Sequence, residues 1–426
     1  MNLRRWSRGL WVGTALAAAV AWPALAADTA QPRWNADPMN LVLVVEAGDD
    51  HVSVIDGDRF ELIHRFASRP ALRGEPKFSP DGRFVYFASR DGWITQYDLR
   101  SLAVAAEARV GSELQGIAIS SDGRWVMAGN QTSPSVLLFD ANLNQVKAWA
   151  AATRDGKAKS RVAAVVDAPS RQSFVVAFHD IAELWLISYD PKAEDIYEGL
   201  VHDFRMGEGL PMRGFHNLKR VALTEPMHTL DLDTGEINAI GNTPARDGGA
   251  ARAQVVNLDV RRRIATLPTT GTPQAGAAIT FAWNGASVLA TRNLEDGAID
   301  VIDMKTWKHL RTIAMPGPGG FLRSHSGSRL AWADSAGSGS ARDTLTLIDK
   351  TTLEAVAQIT QPGHPLGHVE FSKNARHALV SQSDAEGALI VYDAATLKQV
   401  ARLPMSGPIG AFNVGNRVAR RAASSP

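Results

Sequence analysis

The sequence predicts an all-β fold, an eight-bladed β-propeller with four antiparallel strands per blade, and three observations lead there. Eight short apolar runs each end in an aspartate, at Asp56, Asp98, Asp140, Asp190, Asp259, Asp303, Asp349 and Asp393. Most of the intervals between them fall between 42 and 46 residues, the spacing of propeller blades. Inside each interval, strand-like segments alternate with turn signals.

The first 26 residues read as a leader rather than as part of the fold. Arg4, Arg5 and Arg8 precede a short apolar segment, and Ala24-Leu25-Ala26 offers a small-residue cleavage site before Ala27. The apolar run is too short to span a bilayer, so residues 1–26 are expected to be an export signal. Residues 27–426 are then expected to form a single propeller.

Each unit opens with an apolar strand that runs into a turn, as in Phe78-Ser79-Pro80-Asp81-Gly82, Ser120-Ser121-Asp122-Gly123 and Phe371-Ser372-Lys373-Asn374. Asp-Gly and Asn suit such turns because they tolerate positive φ. A second strand and a polar loop follow, and the third strand ends in the recurrent aspartate. That aspartate is expected to cap the tight turn into the outer, fourth strand, a structural role.

The rhythm falters once, in the interval of 69 residues before Asp259. A competing beat at Leu230-Asp231-Leu232-Asp233 leaves the blade boundary open there, with a seven-bladed count as the alternative. The stretch 202–249, rich in Gly, Pro, Met and His, is expected to be an irregular insertion. It holds His202, His216 and His228, which read either as a lid over the axis or as an ordinary exposed loop.

Composition narrows the chemistry. The 426 residues are 45% apolar and 21% charged, typical of a globular chain. A formal charge of +1, falling to −2 without the leader, implies no broad basic surface for nucleic acid. There is no cysteine, which excludes disulfides, a lipidated N-terminal cysteine and a thioether-bound haem. An exported, cysteine-free propeller without a membrane span points to the periplasm. No P-loop, His-Glu-x-x-His or Gly-x-Ser-x-Gly motif is present.

The eleven histidines are then the main resource for proton transfer. Most lie beside strands or turns and read as surface or packing residues. His325 and His368 differ, because each belongs to an innermost strand or its flanking loop in consecutive blades. They are expected to approach the central cavity, His325 falling later along its strand than His368. No metal site is expected.

The local wording adds a resemblance. Gly317-Pro318-Gly319-Gly320-Phe321-Leu322-Arg323-Ser324-His325 with Ala331-Trp332-Ala333-Asp334, His368-Val369-Glu370-Phe371, and the terminal Gly407–Val414 segment resemble the NirF family of haem d1 biosynthesis proteins. So do the segments 160–162, 166–169, 201–209 and 299–304. That family is similar to the d1-haem domain of cytochrome cd1 nitrite reductase, an eight-bladed propeller with the tetrapyrrole in its axial cavity.

The resemblance implies a periplasmic factor acting late in haem d1 maturation. Such a factor binds haem d1 or a precursor non-covalently, with the reductase and other maturation proteins as expected partners. By motif, His325 and His368 match the two histidines on the open side of the reductase pocket. Either would serve as the proton acceptor if the protein oxidises the macrocycle. Two departures stand out: Pro70–Pro76 holds no histidine where the reductase has its axial ligand, and Gln274 stands where relatives tend to have histidine. Anchoring is therefore expected from Arg73, Arg161 and Arg323, whose planar guanidinium pairs bidentately with a carboxylate. Three readings stay open: a dehydrogenase, a non-catalytic carrier of the tetrapyrrole, and a cofactor-free interaction propeller.

Overall fold

Eight four-stranded antiparallel sheets follow one another along the chain, each a propeller blade. The computed structural model describes residues 35–197, 212–245, 251–295, 297–336 and 339–422, so the expected leader lies outside the described residues. Blades 2 to 8 are each built from four consecutive strands. Blade 1 is not. Its Leu41–Glu46, His51–Asp56 and Glu61–Ala67 strands take their innermost partner, Pro408–Asn413, from the far end of the chain. Val42 pairs with Asn413 and Val45 with Gly410 in that ladder. The eight-bladed count stands.

Burial explains why these residues form blades. The central strands Leu41–Glu46, Ser173–Phe178 and Thr344–Asp349 are buried along their whole length, and the first two read as near-continuous apolar runs. Outer strands such as Gln399–Pro404 alternate exposed and half-buried residues. Cores form between adjacent blades. Met127, Phe174, Phe178 and Trp185 pack between blades 3 and 4, and Val44, Leu389, Val391 and Ala411 between blades 8 and 1.

The aspartates do cap turns, with one exception. Asp56 Oδ1 accepts the Asp58 N–H at 2.8 Å, Asp98 that of Arg100 at 2.9 Å, and Asp393 that of Ala395 at 3.1 Å. In blade 5 the cap moves two residues earlier. Asn257 Oδ1 accepts the N–H groups of Asp259 and Val260, both at 3.0 Å, and the Asp259 carboxylate instead meets Arg171.

The faltering interval resolves into regular structure where it is described. Within 202–249, expected to be an irregular insertion, Leu218–Ala222 is the outer strand of blade 4, and Asp231–Leu232 and Asn238–Thr243 open blade 5. Asp233 caps the turn between those two strands, accepting the Ile237 N–H at 2.8 Å. The outer strand escaped notice because two adjacent cations, Lys219 and Arg220, interrupt its apolar pattern and the next strand is two residues long. His202 lies outside the described residues.

Candidate active site in the axial channel

The innermost strands border the propeller axis, and blade 8 contributes the pivotal residue. His368 sits at a break in register between Gly367 and Val369, with φ at 45°. A bulge of this kind re-aims a side chain, and left-handed backbone on a non-glycine residue marks a place held by its surroundings. The ring lies edge-on to Phe321 at 4.6 Å and Phe412 at 4.8 Å. Gly410 makes room for it, since a Cβ there would lie 3.1 Å from His368 Cε1 and 2.8 Å from the Phe412 ring.

His368 is only 3% exposed, and its tautomer follows from one hydrogen bond. The Ala411 N–H donates to Nδ1 at 3.2 Å, which places the proton of the neutral ring on Nε2. That Nε2 has no hydrogen-bond partner among the described residues. Burial, reinforced by the nearby Arg323, pushes the imidazole down to about 4, so the ring is neutral at physiological pH. His368 is thus set up to donate from Nε2, whereas the sequence led us to expect a proton acceptor.

Beside it lies a cluster of four charged groups drawn from four elements. The C-terminal helix Val414–Ala422 directs Arg417 inward, where Nη1 donates to Glu75 Oε2 and Nη2 to Glu370 Oε2, both at 2.6 Å. Arg323 completes the cluster by pairing with the other oxygen of Glu75. Burial opposes the charge on Glu75, but Arg417 and Arg323 overcome it and hold the carboxyl well below its usual range. The Glu75 side chain is still 33% accessible, so the cluster reaches solvent rather than lying in a dry core. Arg323 Nε is buried without a hydrogen-bond partner.

A second buried group stands at the mouth of blade 7. Asp334, 7% exposed, follows the Leu330–Ala333 strand and accepts the Phe321 N–H on Oδ1 at 2.8 Å. Its own carbonyl, and that of Gly317, accept from the fully buried Arg292 at 2.7 and 3.1 Å. The glycine-rich wording of 317–320 has its reason here, since a Cβ on Gly319 would lie 2.0 Å from the Arg292 guanidinium. Burial raises the Asp334 carboxyl above its usual range, against the pull of the Phe321 N–H and Arg292.

The other expected site residues lie apart. His325 occupies the turn after the Leu322–Ser324 strand, in the place held by Ser372 in blade 8, and its Nδ1 accepts the Gly327 N–H at 2.9 Å. That puts it about four strand residues beyond the level of His368, roughly 13 Å along the axis. The two histidines are not brought together. Arg161 is at the rim, 54% exposed, and its guanidinium is engaged by Asp180 at 2.9 Å. Arg73 lies in the Leu72–Phe78 strand, but its side chain lies outside the described residues. Gln274 precedes the first strand of blade 6, its Oε1 buried and unpartnered. His216 stacks on Phe215 at 3.7 Å beside Trp125, a packing residue. Glu75, Glu370, Arg417, Asp334 and Arg292 were not singled out by sequence.

Comparison with known proteins decides the family. The profile of the Cytochrome D1 heme domain matches residues 36–210 and 236–417. The chain belongs to that family. Within it, the chain is 44% identical over 396 residues to the dihydro-heme d1 dehydrogenase of Pseudomonas aeruginosa, covering 92% of this chain and 75% of that protein. It is 28% identical over 384 residues to the NirF protein of the same organism, covering 88% and 91%. The NirF resemblance is therefore real but more distant than the likeness to the dehydrogenase. A solved structure of dihydro-heme d1 dehydrogenase NirN in complex with DHE superposes with a TM-score of 0.82 at 43% identity, covering 91% of this chain and 78% of that one. The residues of this d1-domain channel suit a tetrapyrrole. His368 Nε2 and Arg323 Nε are buried polar atoms without a hydrogen-bond partner among the described residues, and Phe321 and Phe412 supply apolar surface.

Proposed function

We propose that this protein is a periplasmic dehydrogenase that oxidises a reduced, dihydro precursor of haem d1 in its axial channel, holding it non-covalently. The observation that carries the reading is the buried, unpartnered Nε2–H of His368, in a chain 44% identical over 396 residues to a dihydro-heme d1 dehydrogenase. A buried donor without an acceptor is costly, by about 1–3 kcal/mol, unless a ligand supplies one. A carboxylate or oxo oxygen on the macrocycle meets that need. Arg323 adds positive charge on the same side, and the absence of cysteine fits a substrate that comes and goes.

The dehydrogenation removes two hydrogens, and the electrons pass to an external acceptor. His368 orients the substrate as a donor. Its low basicity keeps it neutral and keeps the donor in place across the physiological range.

One observation favours a second reading, a carrier that binds the precursor and returns it unchanged. With Nδ1 occupied by the Ala411 N–H, His368 is not placed to take up a proton.

Optical titration with the dihydro precursor tests the site. His368→Ala and Arg323→Ala should each weaken binding by roughly ten- to a hundredfold. Arg161→Ala should change it by less than about fivefold, because Asp180 already holds that exposed guanidinium. Unchanged affinity in both the His368 and Arg323 variants would remove the axial channel as the site. Export rests on the leader, and an intact mass beginning before Ala27 in the exported protein would contradict it.

A further inference from the structure

We propose that Asp334 is the proton acceptor of the axial site. The inference rests on the dehydrogenase reading and supplies the base that His368 does not provide.

Asp334 and His368 converge on the same residue from two blades. Phe321 packs its ring against His368 at 4.6 Å and donates its N–H to Asp334 Oδ1 at 2.8 Å. The other carboxylate oxygen, Oδ2, faces backbone without side chains. Cβ atoms built on Gly320 and Gly367 would lie 3.9 and 3.5 Å from it. Gly367 immediately precedes His368, so Oδ2 lies next to the backbone that leads into the orphaned imidazole. Two glycines at this point leave an approach to the carboxylate that any larger residue would narrow.

Its surroundings suit a base. Arg292 and Arg323 are the cations that act on Asp334, and the Gly320 and Phe321 N–H groups favour its ionised form. Burial outweighs them and raises its affinity for a proton, which is what a carboxylate needs to accept one from carbon. The Arg292 guanidinium donates to the Asp334 and Gly317 carbonyls rather than to the carboxylate, so it fixes the backbone and acts on the carboxylate only through space.

One C–H bond breaks on each of two adjacent saturated carbons of the precursor, and a C=C bond forms between them. Two electrons leave, one to each of two molecules of an external one-electron acceptor of the oxidised metal-complex class. Asp334 takes one proton and water in the channel takes the other.

The test is single-turnover oxidation of dihydro-haem d1 by the full chain, with ferricyanide as acceptor, followed by the visible spectrum across pH. In the wild type the rate should fall as pH drops through the Asp334 pKa. Asp334→Asn keeps an oxygen for the Phe321 N–H, so it should bind the precursor with unchanged affinity, oxidise it roughly a hundredfold or more slowly, and lose that acid limb. Asp334→Glu should restore part of the rate with the limb displaced. Rates for Asp334→Asn within twofold of wild type at every pH would overturn the proposal while leaving the dehydrogenase reading intact. Should Asp334→Asn fail to bind, the Glu variant decides alone: a displaced limb supports the role and an unmoved one overturns it. A wild type that binds precursor and never oxidises it would overturn both.

Discussion

At the scale of single residues, His368 shows how a fold sets an ionisation state. Its imidazole lies among Glu75, Glu370, Arg323 and Arg417, yet burial is the leading cause that takes it from 6.5 to about 4. Between those values the unfolded chain binds the proton and the folded chain does not. The contribution to stability is therefore complete above pH 6.5 and lost as pH falls toward 4, on the order of 3 kcal/mol in all. Urea unfolding of wild type and His368→Gln at pH 7 and pH 5 reads this directly. The wild type should lose more stability between the two than the variant. Equal losses would mean that the ring is solvated or protonated in the folded state. His368 was legible in the sequence because it stands in an innermost strand within a recognisable phrase. Its tautomer was not legible, since the deciding N–H belongs to Ala411, 43 residues away.

The elements show a similar division between what local chemistry announces and what only closure of the ring creates. Propeller rhythm is visible because a capped turn needs the same small acceptor at the same point in every blade. Blade 5 shows that the rhythm tracks the acceptor rather than aspartate itself. Asn257→Ala should destabilise the protein by about 1 kcal/mol, through loss of two accepted N–H bonds, while Asp259→Ala should cost less than about 0.5 kcal/mol because its ion pair with Arg171 is exposed. Thermal unfolding of the two variants separates them, and the reverse order would place the cap on Asp259.

The C-terminal helix carries the opposite lesson. In the sequence, Arg417 is one arginine among several in a basic tail. In the fold it joins Glu75 and Glu370, partners 342 and 47 residues distant. No local pattern encodes pairs that meet only when the ring closes. Arg417→Ala should cost about 3–5 kcal/mol, because it strands two carboxylates in a sheltered site. A Arg417→Ala, Glu370→Gln double variant should lose less than the sum of the singles. Strict additivity in chemical denaturation would show that Arg417 and Glu370 do not interact.

For the whole molecule, closure and function share one place. The strand Pro408–Asn413 completes blade 1, supplies the Ala411 N–H to His368 and leads directly into the helix that carries Arg417. The last turn of the chain thus both seals the ring and shapes the channel around its axis. Such an arrangement ties an ordered site to a completed fold, so a chain that fails to close also lacks the site. The measurement that bears most directly on the account is the mass of a dihydro-haem d1 precursor before and after incubation with the full protein and an electron acceptor. A product lighter by two hydrogen atoms should form with the wild type and not in a control without protein. Precursor that binds saturably and is recovered at its original mass, with every acceptor tried, would contradict it and leave a carrier.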